Sequence, residues 1–170
     1  LYFTVDTNVQ REIIFWLAGG LDASTWSDVQ ISFPWVAIGL GIILFLARDL
    51  NLLALGDDEA ASLGVRVGRV RTFLIVGAAL STGSAVAFSG TIIFVGLIVP
   101  HMVRLVLGAD HRVLIPLSAL SGAAFLLLAD TTARVVAAPA ELRVGIVTAF
   151  IGAPFFIFLL IKNKVHAGSI

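Results

Sequence analysis

The chain has 170 residues, of which 59% are hydrophobic and 13% charged, and its 11 basic and 11 acidic side chains leave a formal net charge of zero. A mean hydropathy of +1.04 is far above that of an ordinary soluble domain and places the chain in a membrane, while neutrality without a basic tail argues against a nucleic-acid partner. With no cysteine there are neither disulfides nor thiolate metal sites, and no metal or other cofactor is expected.

The chain opens on Leu1 in mid-pattern, with no charged leader before an apolar core, so it reads as a fragment of a longer chain. In residues 1–32 the apolar cluster Ile13 to Leu17 is too short to span, and Gly19, Gly20 and Trp26 follow it, which suits a half-buried interfacial helix. Residues 33–47 carry no charge and end at Arg48 and Asp49; they are the first predicted span, lengthened by a turn at either end. A polar interruption follows, running from Leu52 to Gly64 and holding the consecutive acids Asp57, Asp58 and Glu59 before Arg66, Arg69 and Arg71. Gly56 is expected to break the preceding span, Asp57 or Asp58 to cap a short helix outside the bilayer, and Gly64 to end it.

Four further spans are predicted, at Thr72–Phe88, Ile92–Leu107, Val113–Ala129 and Val144–Ile161. The first of these has a nearly all-small face of Gly77, Ala78, Ser81, Ser84 and Ala85, and the third has Ser118, Ala119, Gly122 and Ala123. Lipid tails are as apolar as Leu, so small faces that let backbones approach mark helix contacts inside a bundle. The last span is expected to be broken by Gly152, Ala153 and Pro154. If the spans alternate, eight of the eleven basic residues fall on one side, including Arg48 to Arg71, Lys162 and Lys164, and only Arg11, Arg134 and Arg143 on the other. The positive-inside bias then makes the polar helix and the carboxyl terminus cytoplasmic. The fold expected is an all-α polytopic bundle, a single membrane domain over 1–170 with about five spans, an interfacial helix and a short cytoplasmic helix.

A series of spaced motifs carries a resemblance over essentially the whole chain: Ser89 to Arg104 with Pro100, His101 and Arg104, then Asp110 to Pro116, Ala129-Asp130 to Arg134, Glu141-Leu142, and Gly152 to Pro154. Together they resemble the FecCD/BtuC family, the permease subunits of ATP-binding-cassette (ABC) importers for iron-siderophores, haem and cobalamin. The family subunit has about twice this length, so the chain resembles its carboxy-terminal half. Two positions depart from the family pattern: Arg143 stands where Glu-Leu-Pro-x-Gly has proline, and Ile93 where a glycine is usual.

The resemblance implies an inner-membrane permease that carries an iron chelate, or cobalamin or haem, and works with ABC ATPase subunits, a periplasmic or lipid-anchored substrate-binding protein and a second permease subunit. It makes Gly56, Asp57, Asp58, Glu59, Ala60, Ala61, Ser62, Leu63 and Gly64 a coupling segment that docks on the ATPase. A solvated connector with ordinary caps is the alternative. It likewise points to Arg134, with Glu141 and Arg143 on the same rim, as the docking point for the binding protein. A local i, i+4 pair of Asp130 and Arg134 is the competing account. Pro100, Gly152 and Pro154 are implied as pathway or hinge residues, although bending around a neighbouring helix would also explain them. His101 and Arg104 fit packing or snorkelling better than metal binding, since no second ligand is suitably spaced.

Other classes fit less well. A serine-histidine intramembrane protease would need Ser89 and His101 in reach of one another, yet they are expected at opposite span ends with no oxyanion element. A proton-coupled secondary transporter would place carboxylates deep within spans, whereas the acids here fall in loops or at span edges. No phosphate-binding loop of the Walker type occurs, so ATP hydrolysis is expected on another chain and not here.

Overall fold

The computed structural model describes residues 7–22, 24–137 and 142–167, and all regular structure among them is helical. In chain order the helices are α1 (Thr7–Ala18), α2 (Trp26–Phe45), α3 (Ala47–Leu53), α4 (Asp57–Ser62), α5 (Val67–Ser89), α6 (Val95–Leu107), α7 (His111–Ala137) and α8 (Val144–Ala167). Each of the five expected apolar segments holds a helix, although α6 begins only at Val95, after Phe94 at φ 70°. Among the described residues α2, α5 and α7 are long and apolar enough to cross a membrane, while α6 and the apolar part of α8, Val144–Ile157, are shorter. At 1.5 Å per residue the 13 residues of α6 reach only about 20 Å, short of a hydrocarbon core of about 30 Å.

Several boundaries differ from those expected, each for a local reason. α2 starts at Trp26 because Thr25 and Asp28 form a capping box, with the Thr25 amide donating to the Asp28 carboxylate at 2.8 Å. Trp26 therefore opens a 20-residue helix and does not belong to the interfacial one. That span ends before Gly56 is reached. Leu46 leaves helical geometry at φ −92°, ψ 7°, and the extra helix α3 follows it with Leu46 and Ala47 buried.

α7 continues two turns past Ala129, because Asp130 and Arg134 pair along it and the Thr131 and Thr132 hydroxyls donate to the Leu127 and Leu128 carbonyls, each at 2.7 Å. α8 is not broken at Gly152 to Pro154. It runs through Pro154, whose ring costs one amide donor but leaves the flanking turns helical.

The described chain forms two compact units. One holds 1–23, 89–99 and 122–170; the other holds 24–88 and 100–121. Within the second, α2 and α5 meet backbone to backbone at Gly39 and Gly77, both buried. A Cβ on Gly77 would stand 2.9 Å from the Gly39 carbonyl oxygen, and one on Gly39 would stand 2.5 Å from that of Gly77. Of the small face expected on α5, Gly77, Ser81 and Ser84 are covered, whereas Ala78 and Ala85 are exposed.

Within the first unit, the end of α1, residues 89–91 and the start of α8 are laced together. The Gly20 amide donates to Ser89, the Thr91 amide to Trp16 and the Gly145 amide to Gly19, at 2.9, 3.3 and 3.2 Å. A side chain on Gly19, Gly90 or Gly145 would strike the backbone opposite. The lacing uses an amide from the first turn of α8 that has no partner inside its own helix.

Candidate functional site

Helix α4 is short, and its ends are closed in different ways. Gly56, at φ 130°, is the residue before the helix and provides no side-chain cap, so neither Asp57 nor Asp58 is the cap that was expected. The Glu59 carboxylate folds back against Gly56 in the space a Cβ would fill. Asp57 instead pairs with Arg71 on α5, 2.9 and 3.1 Å from one guanidinium nitrogen to its two oxygens. All three acids lie in the first turn, where they favour the positive end of the helix.

The carboxyl end closes as the sequence predicts. The Gly64 amide donates to Ala61 and the Val65 amide to Ala60, both at 3.0 Å, with Gly64 at φ 87°. This is a Schellman closure, which needs a residue free to adopt positive φ. The Ser62 hydroxyl adds a bond to the Glu59 carbonyl at 2.7 Å.

Only one side of α4 is committed to the fold. Ala60 is wholly buried at 0% exposure, and α4 packs on α3. Ala61, Ser62, Leu63, Asp58 and Glu59 are exposed. Of the two alanines in the segment, then, Ala60 packs within its own chain and Ala61 faces outward.

α3 is in turn tied to the turn before α7. The Asn51 side chain donates to Asp110 at 2.7 Å, and its oxygen accepts from the His111 amide at 2.9 Å and lies 2.6 Å from the His111 Nδ1. The hydrogen bond from Asn51, and then that from the Arg112 amide, hold the Asp110 carboxyl below its ordinary pKa.

The two arginines expected on one rim behave differently. Arg134 makes the local pair: its Nε donates to Asp130 at 2.8 Å and its Nη2 at 3.3 Å, while 58% of its side chain stays exposed. Arg143 is 16% exposed, bonded at 2.5 Å to Asp22 and stacked 4.4 Å from the Phe15 ring centre. Its guanidinium is engaged by the α1 region. Glu141 lies outside the described residues.

Gly152 and Pro154 fall in the first unit and Pro100 in the second. Pro154 and Ala153 line an apolar cavity of about 520 Å³ with Leu17, Ile93, Ile146 and Phe150. Gly152 faces Phe94, which stands at φ 70°, and the ring and Cβ of Phe94 occupy the space a Gly152 side chain would need. Pro100 lies within α6, half-buried, and the helix passes through it.

The FecCD transport family model matches residues 1–162. The chain belongs to the FecCD transport family.

It is 51% identical over 157 residues to the cobalamin import system permease protein BtuC of Halobacterium salinarum, covering 92% of this chain and 42% of that one. It is 46% identical to the Fe(3+) dicitrate transport system permease protein FecD of Escherichia coli (89% and 48% covered) and 42% identical to the hemin transport system permease protein HmuU of Yersinia pestis (96% and 49%). The chain thus spans less than half the length of these relatives. A solved structure described as an inward-facing conformation of a metal-chelate type ABC transporter matches with TM-score 0.85 and 38% identity, over 93% of this chain and 51% of that one.

Sequence reasoning missed Asp22 and Phe15 as partners of Arg143, Asn51 as the link from α3 to Asp110 and His111, and Phe94 as a strained neighbour of Gly152. The two residues of the Asp22–Arg143 pair are 121 positions apart, beyond the reach of any local pattern. The Gly19-Gly20 step was a visible signal of close backbone approach, because glycine is the residue that allows it.

Proposed function

We propose that this FecCD chain forms the carboxy-terminal half of a permease subunit in an ABC importer of the cytoplasmic membrane, carrying an iron chelate. Cobalamin and haem are the alternative cargoes, in keeping with relatives named for each. ATP hydrolysis belongs to separate ATPase subunits. A periplasmic or lipid-anchored binding protein delivers the cargo, and a second permease subunit completes the pathway.

The observation that carries this reading, beside family membership, is α4. It is capped at its carboxyl end, anchored inward by Ala60, and presents Asp58, Glu59, Ala61 and Ser62 to whatever lies outside. A rigid helix of this kind can pass on a displacement, and its exposed acids suit a partner with basic groups. From α4 the contact with α3 and the Asn51 bonds give a continuous route to the start of α7. The excess of basic residues near α3 to α5 supports a cytoplasmic position for α4 and for the carboxyl terminus. Arg134, exposed at the far end of α7, is the docking residue for the binding protein; Arg143 serves the fold first. Pro100, Gly152 and Pro154 contribute to the pathway or its hinges.

The test uses the full-length subunit with Ser62→Cys, co-expressed with its ATPase carrying single cysteines in the groove that faces the membrane. A specific crosslink is expected, and none from Val135→Cys on the exposed end of α7. Labelling of position 62 by an impermeant thiol reagent in intact cells would refute the orientation and the coupling role together. Uptake assays with labelled ferric siderophore, cobalamin and haem then distinguish the cargoes.

A further inference from the structure

α3, the turn after α4 and the start of α5 enclose a groove of about 450 Å³ lined by three arginines, Arg48, Arg66 and Arg69, with Asp49 as its one acid. Among the described residues none of the three arginines makes an ion pair, whereas neighbouring Arg71 is taken by Asp57. All three are exposed. The rest of the lining is largely apolar: Leu52 lies on α3 and Leu63, Gly64 and Val65 in the turn after α4, while Leu46 closes α2 and Val70 and Phe73 lie on α5. Phe73 is itself exposed.

Three guanidinium groups against one carboxylate thus stand near the ends of two membrane-length helices, beside apolar residues that run down one of them. Arginine pairs with phosphate through two parallel hydrogen bonds, and basic pockets between membrane helices suit anionic headgroups. A protein partner with acidic side chains would match the charge but would have no use for apolar residues that descend along α5.

We infer that this groove binds the phosphate headgroup of an anionic phospholipid, with an acyl chain lying along Phe73. The inference rests on membrane insertion and is independent of the cargo; Leu63 and Gly64 belong both to this groove and to the segment proposed to meet the ATPase. Occupied, the site pins the loops flanking α4 to the bilayer surface, so the lipid sets the position from which α4 moves.

The experiment uses the full-length subunit in detergent, with bound lipid read by native mass spectrometry during titration with phosphatidylglycerol or phosphatidylcholine. Phosphatidylglycerol is expected to bind at least about tenfold more tightly, since each juxtamembrane arginine contributes roughly fivefold. Arg48→Gln, Arg66→Gln and Arg69→Gln, made singly, should each lower phosphatidylglycerol affinity roughly fivefold and phosphatidylcholine affinity less, because its choline offsets the phosphate charge. Arg134→Gln should alter neither.

Equal binding of the two lipids, or single variants that keep the preference, would overturn the inference. Displacement of phosphatidylglycerol by equimolar inorganic phosphate would also overturn it, by showing an anion site without a lipid. If the variants keep lipid preference but lose the ATPase subunit in lipid-free detergent, the groove is a protein contact and the lipid assignment fails, while the importer reading stands.

Discussion

Replacing Gly39 by alanine tests the packing of α2 on α5. The added methyl carbon would lie 2.5 Å from the Gly77 carbonyl oxygen and 2.9 Å from the Ser81 amide nitrogen. It would crowd the Ser81 hydroxyl too, which already donates to the Gly77 carbonyl at 2.9 Å. The hydroxyl can rotate away, but the carbonyl and amide belong to the α5 backbone and cannot. Ordinary contact begins near 3.4 Å, so the helices must part by about 0.9 Å along a seam held by close approach.

Overpacking of this kind costs about 1–3 kcal/mol. Gly41, two residues on, has nothing within 4 Å of its Cβ position, and alanine there should be neutral or stabilising by up to about 1 kcal/mol through helix propensity. The full-length subunit is heated in detergent and the monodisperse fraction followed by size exclusion. Gly39→Ala should lower the midpoint by several degrees, and Gly41→Ala should not. Equal behaviour of the two variants would refute the seam.

Gly64→Ala meets no steric neighbour, so its cost is that of the positive φ alone, about 1–2 kcal/mol, and Gly64→Asn should recover part of it; thermal melts of the two variants check this. Arg134→Ala should change stability by less than about 0.5 kcal/mol yet weaken capture of the binding protein in a pull-down. Arg143→Ala should destabilise by about 2 kcal/mol, because it strands Asp22 and removes the stacking on Phe15.

The folded-state pKa of Asp110 is depressed, so its contribution is present above the unfolded value near 3.9 and is lost as pH falls through the lower folded value. Asn51→Ala should therefore destabilise at neutral pH, and its difference from wild type should shrink below about pH 4. A pH-independent difference in denaturation midpoints would refute the Asn51–Asp110 bond.

What the sequence revealed and what it hid follow from the range of the forces involved. The order and type of the apolar helices were legible because hydrophobicity is summed over many residues, and Gly64 was legible because a Schellman end depends on neighbours within five positions. The break at Leu46 was not: Leu46 is neither glycine nor proline, and burial of Leu46 and Ala47 accompanies the turn. At Asp130 an acid in the sequence looked like the end of a span. The pairing with Arg134 one turn on, and the threonine hydroxyls returning to the helix, let α7 continue instead. The resemblance put Arg143 on a docking rim, but its pairing with Asp22 and stacking on Phe15 could not be read from the sequence, because both partners lie far away along the chain.

The lacing of α1 into the start of α8 has a consequence for how such subunits can be divided. A cut placed just before α2, where hydropathy alone suggests the membrane domain begins, would discard Asp22 and Phe15 along with the carbonyls of Trp16 and Gly19 that receive the Thr91 and Gly145 amides. Arg143 would then be left as a half-buried cation without its counter-charge, and the amide of Gly145 would need water where a backbone now sits. Helix α1 is thus a keystone of the last helix, and no cut between α1 and α2 leaves the start of α8 intact.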